Sequence, residues 1–242
     1  DVIEQSDVDF ADYRFHSEME CVGDFNWKLW MDGYQECYHC PTIHPVFNKD
    51  FTLRDYQIEN RDRFSMHGCD RKRKDSASGT FQGVWLWVYP SLGMPCYEPA
   101  YYTLSVMPLG PDRTRLSYRF FARKDASYRV IEEFLDFIMQ VTQEDIDICS
   151  KTQVNLQKGV MEHGYLNPVR ENGVHYFHQL VRADLGEQRG HRVLGVTVDE
   201  RAARHELDRV RVDGRAPLAV LGILAGVGAG LQRTESAPSE GE

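Results

Sequence analysis

The sequence predicts an α+β domain in which an antiparallel sheet grips one long helix that follows it. Three observations predict this. Residues 51 to 123 contain five segments rich in aromatic and β-branched residues, separated by turn chemistry. From Ser127 the apolar spacing changes to a helical period and holds it as far as Gly159. A shorter helical pattern, "DFNWKLWMDGYQECYH", comes before the sheet. The 242 residues are 42% apolar and 12% aromatic, enough for a substantial core. A net charge of −9 argues against general nucleic-acid binding, which needs clustered Lys and Arg.

Each element follows from local chemistry. Residues 18–22 read as a short strand. Asp24 is a fair N-cap for a helix through His39, with Phe25 and Trp30 on its apolar face. Pro41 blocks continuation and predicts a bend just after His39. The segments "FTLRDYQIEN", "RFSMHGC", "GTFQGVWLWVYPSL", "AYYTLSVMPL" and "TRLSYRFFARK" give a meander of about five or more strands, with "KDSASG" and "PLGPDRT" as turns. A long helix fills 127–159, and a second covers 171–185. Residues 1–185 are read as one domain and 186–242 as an atypical, poorly ordered extension, whose end "QRTESAPSEGE" is polar. The apolar run "APLAVLGILAGVGAGL" (216–231) is shorter than the roughly 20 residues that span a bilayer, so no membrane segment is expected. The opening "DVIEQSDVDF" lacks the apolar run of a signal peptide. The expectation is a reducing cytoplasm with most of the six cysteines free, in a chain cut or processed from something larger.

The chemistry concentrates in "MDGYQECYHCPTIHP", residues 31–45. A non-haem iron oxygenase needs two imidazoles and one carboxylate on one side of Fe(II), with the other side open. His39 and His44 can supply the imidazoles. On a straight helix their spacing of five would separate them by about 140°. A break at Pro41 removes that objection. The carboxylate has to come from elsewhere, and "QEDIDIC" on the long helix offers Glu144, Asp145 and Asp147.

Taken together, "NWKLWMDGYQECYHCPTIHP" resembles the iron-site motif of the Rieske non-haem iron oxygenases: Asn26, Trp27 and Lys28, then an acid (Glu36), His39 and His44. In that family the third ligand is an Asp on a late helix, often in an acidic pair with a Gln eight residues on. Here those residues are Glu144, Asp145 and Gln153, so the resemblance selects Asp145. "RTRLSYRFF" and "ENGVHYFHQLV" are similar to the family's late strand and C-terminal helix. "ECYHCPTIHP" is most similar to the quaternary-amine branch, which includes the glycine betaine, carnitine, choline and stachydrine oxygenases.

The resemblance implies a helix-grip, START-like fold and a mononuclear Fe(II) held by His39, His44 and Asp145. It implies Glu36 as the electron-transfer bridge from a neighbouring subunit. It also implies O2, a small-molecule substrate, a reductase or ferredoxin electron donor and a homotrimer. The expected reaction is hydroxylation of a ring or N-methyl C–H bond, including oxidative N-demethylation. A [2Fe-2S] Rieske cluster belongs to such a protein, but the required pair, a C-x-H segment followed by a C-x-x-H segment, does not occur in these 242 residues. The Rieske domain is therefore absent from this chain.

Quaternary ammonium groups are held by aromatic faces. Tyr34 and the strand stripe Trp85, Trp87 and Tyr89 are candidates, although such a stripe is more often core and no substrate-binding residue is assigned. Two other readings compete. A zinc site from Cys37, His39, Cys40 and His44 lacks a second well-spaced ligand pair, which leaves the two cysteines as small packing residues. A non-enzymatic helix-grip module for a hydrophobic ligand needs no triad, and it would leave Asp145 pointing to solvent far from the histidines. His175 and His178, three apart on a helix, are read as surface or packing residues.

Overall fold

The computed structural model of the chain describes residues 9–71, 83–161, 164–185 and 232–234. Strand β1 (Tyr13–Gly23) leads to helix α1 (Trp27–Tyr34) and then to two short helices, α2 (Cys40–Ile43) and α3 (Pro45–Asp50). Six strands follow: β2 (Phe51–Arg61), β3 (Phe64–Arg71), β4 (Gly83–Val88), β5 (Leu92–Tyr97), β6 (Ala100–Gly110) and β7 (Arg113–Arg123). Helices α4 (Tyr128–Gln157) and α5 (Asn172–Asp184) come next, and β8 (Gln232–Thr234) is last. The strands form one antiparallel sheet in the order β2-β3-β4-β5-β6-β7-β1-β8.

The sheet's inner face follows from side-chain alternation. Met19 and Cys21 of β1, Tyr102, Leu104 and Val106 of β6, and Leu116, Tyr118 and Phe120 of β7 are all buried. Helix α4 answers with a stripe at helical spacing: Ile131, Phe134, Leu135, Ile138, Thr142, Ile146 and Cys149. Ser127 caps it by accepting the Val130 N–H, and Gly159 leaves it with a φ of 68°, as the sequence predicted for both ends. Helix α5 closes one end of the sheet, where Phe177 meets Trp87 edge-on at 5.7 Å and Trp27 at 5.8 Å.

Several sequence expectations are corrected. The first strand runs for 11 residues, because β1 pairs along its length with β7. No single helix spans 24–39. Asn26, not Asp24, is the N-cap, accepting the Lys28 N–H at 3.1 Å, and α1 ends at Tyr34. Phe25 lies before the helix, buried and stacked on Trp30. "GTFQGVWLWVYPSL" is not one strand, since the chain turns after Val88 and returns as β5. The expected turn at "KDSASG" and nearly all of 186–242 lie outside the described residues. Within that extension, Gln232–Thr234 pairs with Glu18–Glu20 as β8. Among the described residues no helix is long and apolar enough to cross a membrane.

Candidate metal centre

Two connections fix the frame of the site. The Asn26 N–H donates to Gln153 Oε1 of α4 at 2.9 Å, and Asn26 Nδ2 donates to the Pro111 carbonyl at 2.6 Å. The start of α1 is thereby tied to α4, which gives a physical role to the Gln eight residues after Asp145. At the other end of α1, the Tyr34 hydroxyl donates to the Leu86 carbonyl at 2.8 Å. Gly93 leaves room for this ring, since a Cβ there would sit 2.9 Å from it.

The chain leaves α1 before the metal motif, not after His39. Glu36 organises the next turn. Its Oε2 accepts the N–H groups of Tyr38 and, at 3.2 Å, His39, while its Oε1 meets His39 Nδ1. Pro41 then starts the one-turn helix α2 instead of breaking a longer one, in the first turn where its missing N–H costs nothing. His39 and His44 are the N-cap and C-cap of that turn. The spacing of five is therefore the distance across one capped turn, and the two Nε2 atoms face each other at 3.1 Å.

Asp145 comes to the same point from α4. Its Oδ1 is 3.0 Å from His44 Nε2 and 3.5 Å from His39 Nε2. Donors bound to one ion at about 2.1 Å and at right angles to one another lie about 3 Å apart. Two imidazole nitrogens and one carboxylate oxygen with these separations fit a divalent iron. Glu144 Oε2 lies 2.8 Å from His44 Nδ1, and Gln140 donates to Glu144 Oε1 at 3.0 Å. Each imidazole thus has a carboxylate behind it, which fixes its ring and directs Nε2 inward. Asp147 is directed elsewhere and accepts from Gln143 at 2.8 Å.

The electrostatics call for a cation. Burial disfavours the charged form of His39, yet Glu36 and Asp145 outweigh it and lift this imidazole to about 10. His44 is likewise raised, with burial opposed by Asp145 and then Glu144. Burial would raise Asp145, but its bonds to His39 and His44 hold it at about 2.

Cys37 and Cys40 are joined as a disulfide, where the sequence suggested two packing thiols. Cys21, Cys96 and Cys149 are free and buried. Distance alone also groups Cys40 Sγ with His39 and His44 as ligands, the atoms lying within 4.8 Å of one another. Because Cys40 is already bonded to Cys37, Asp145 is the better third donor.

His39, His44 and Asp145 line a cavity with about 650 Å³ of space free of protein atoms, part of it open to solvent. Tyr34, Phe47, Tyr56, Trp85, Tyr97 and Tyr102 are among its walls. The Trp85 Nε1–H donates to the Tyr97 hydroxyl at 2.8 Å, and Tyr118 and Thr142 share a hydrogen bond of 3.0 Å. Of the aromatic candidates, Tyr34 and Trp85 reach the cavity. Trp87 is fully buried against Tyr89, Tyr176 and Phe177. His178 is also buried, 2.8 Å from Asp32, and belongs to the α1–α5 packing.

A long helix gripped by an antiparallel sheet, with a two-histidine, one-carboxylate cluster facing an aromatic cavity, defines a non-haem iron oxygenase type of catalytic domain. The model of the ring-hydroxylating alpha subunit catalytic domain matches residues 10–187, and the chain belongs to that family. It is 26% identical over 173 residues to the chloroplastic choline monooxygenase of Atriplex hortensis, covering 68% of this chain and 39% of that protein. It is 22% identical over 172 residues to the carnitine monooxygenase oxygenase subunit of Acinetobacter baumannii, covering 64% of this chain and 46% of that one. Its fold matches the quaternary ammonium Rieske monooxygenase CntA with a TM-score of 0.64 at 17% identity, over 75% of this chain and 52% of that chain. The chain thus spans about two fifths of the length of the choline monooxygenase. A non-enzymatic binding module is not sustained, because Asp145 meets both histidines and the family is one of oxygenase catalytic domains.

Proposed function

We propose that this chain is the iron-bearing catalytic part of an oxygenase that hydroxylates a C–H bond of a small molecule, using O2 and electrons from a Rieske [2Fe-2S] cluster and a reductase. The convergence of His39 Nε2, His44 Nε2 and Asp145 Oδ1 within 3.5 Å beside an aromatic cavity carries this reading. These three residues would hold Fe(II), and the metal would supply the activation of dioxygen. Glu36 and Glu144 keep the two rings oriented. Glu36 is also the proposed electron bridge from a cluster in a neighbouring subunit of a homotrimer. Residues 1–185 form the catalytic domain, with 186–242 as an extension, and the cytoplasm is the proposed compartment.

The cavity supports an N-methyl group of a quaternary amine as the target. Such a cation has no N–H to donate, and each aromatic face attracts it by about 0.5–2 kcal/mol. Glu36, which also lines the cavity, adds a carboxylate to this wall. Hydroxylation at N-methyl gives a carbinolamine that releases formaldehyde.

The test is metal analysis of anaerobically iron-loaded protein. Wild type should hold near-stoichiometric iron, and His39→Ala and Asp145→Ala should lose it. Iron retained at wild-type levels in both variants would defeat the assignment.

A further inference from the structure

Among the described residues five tyrosines line the cavity, and four of their hydroxyls are engaged within the protein. Tyr34 donates to the Leu86 carbonyl, and the Tyr56 hydroxyl lies 2.9 Å from His67 Nδ1. Tyr97 accepts from Trp85 Nε1, and Tyr118 bonds with Thr142. Tyr102 is the exception. Its hydroxyl has no hydrogen-bond partner among the described residues, although the residue is only 7% exposed. The ring is packed by Tyr97, stacked at 6.5 Å, and by Tyr118 and Phe120 at 5.5 and 5.3 Å, which fixes the direction of the hydroxyl. Burial, then Tyr97, Tyr118, Tyr34 and Asp145, disfavour the phenolate, so the group stays an O–H donor. A buried donor left unpaired forfeits its hydration without return, and such groups are rare enough to call for an explanation.

The residues around this donor limit what it can serve. Among the described residues that line the cavity there is no Lys or Arg. A carboxylate brought in by a substrate would lose its hydration there. Within this lining it would meet a cation only at the metal, in a position the oxidation needs open. An uncharged oxygen is desolvated at far less cost and still accepts the Tyr102 O–H. We propose that Tyr102 is a specificity-determining residue whose hydroxyl donates to an uncharged oxygen of the substrate. The cavity then takes a quaternary amine that bears a hydroxyl or ether group in preference to one that bears a carboxylate.

This inference rests on the quaternary-amine reading above, and three probes separate the two. Choline carries a hydroxyl, propyltrimethylammonium has a methyl group in its place, and glycine betaine has a carboxylate instead of the terminal CH2OH. Calorimetry measures their dissociation constants for the full 242-residue chain, iron-loaded and anaerobic, as wild type and as Tyr102→Phe. Wild type should bind choline about five- to tenfold more tightly than propyltrimethylammonium. In Tyr102→Phe the two constants should converge through a loss of choline affinity. Propyltrimethylammonium affinity and iron content should be kept, which also shows that the variant is folded. Glycine betaine should bind wild type about tenfold or more weakly than choline. Equal affinity of wild type for choline and propyltrimethylammonium overturns the inference, whether or not Tyr102→Phe folds. So does a choline preference that persists in Tyr102→Phe, or glycine betaine bound as tightly as choline. Iron lost from a folded Tyr102→Phe makes the hydroxyl a partner of the metal centre and likewise overturns it. If iron-loaded wild type binds none of the three, the quaternary-amine reading itself fails and the role of Tyr102 falls with it.

Discussion

Glu144 is one residue from the proposed ligand Asp145 but has a different task, because its carboxylate stands behind His44 at 2.8 Å. Removing such a partner costs about 10–100-fold in metal affinity. Glu144→Ala is therefore expected to weaken iron binding by that factor, and Glu144→Gln to recover part of it by still accepting a hydrogen bond. Equilibrium dialysis against a competing chelator measures both. Helical spacing alone left Glu144, Asp145 and Asp147 open, and the family motif singled out Asp145. The roles of its neighbours were not legible. Glu144 reaches His44 and Asp147 bonds to Gln143 only because of where α4 lies over the capped turn. The disulfide was equally hidden. C-x-x-C spacing allows a bridge, but the pairing depends on the bend at residues 38–39, ahead of α2, which brings the two Cα atoms to 5.0 Å.

At the scale of elements, α4 was readable end to end, since Ser127, the apolar stripe and Gly159 all agree. The end of α1 was not. Apolar periodicity runs on past Tyr34, but Glu36 takes up the Tyr38 and His39 N–H groups that a continuing helix would have used. Strand β5 was missed because "LGMPCY" has no β-branched residue and contains Pro95. It is a strand because β4 pairs with it throughout, while its pairing to β6 falls at Leu92, Gly93 and Cys96, to either side of the proline. The junction of α5 with the turn after α1 gives a prediction. A Cβ on Gly173 would sit 2.4 Å from the Gln35 carbonyl and 3.1 Å from Ile58 Cδ1. Overpacking of this kind costs about 1–3 kcal/mol. That exceeds the roughly 0.8–1 kcal/mol Ala contributes over Gly within a helix, and less is available at a helix start. Gly173→Ala should lower the urea midpoint. Because Gln35 adjoins Glu36, it should also weaken iron binding.

For the molecule as a whole, the order of helix, sheet and long helix was legible, whereas the place of β1 beside β7 was not, because nothing local encodes which strands meet. One buried group couples the whole fold to pH. His67 is fully buried with its Nδ1 at 2.9 Å from the Tyr56 hydroxyl, and burial pushes it down to about 3 from 6.5. Below pH 6.5 the unfolded chain takes up a proton that the folded chain refuses, so stability is lost as pH falls from 6.5 toward 3. Between pH 6.5 and 5 this group should account for about 2 kcal/mol of lost stability. Urea titrations of wild type and His67→Gln at both pH values give the difference, and equal losses in the two proteins would contradict it. The same global view bears on the centre. His44 and Glu144 are 100 residues apart along the chain, and the entire sheet from β2 to β7 is threaded between them. An ion gripped by His39, His44 and Asp145 closes that span into a ring, at a chain-entropy cost on the order of 4 kcal/mol in an unfolded polymer. In the native fold the ring is already closed, so the metal would act as a buckle on a belt that the sheet and α4 have drawn tight, and a chelator would loosen the belt as well as empty the site.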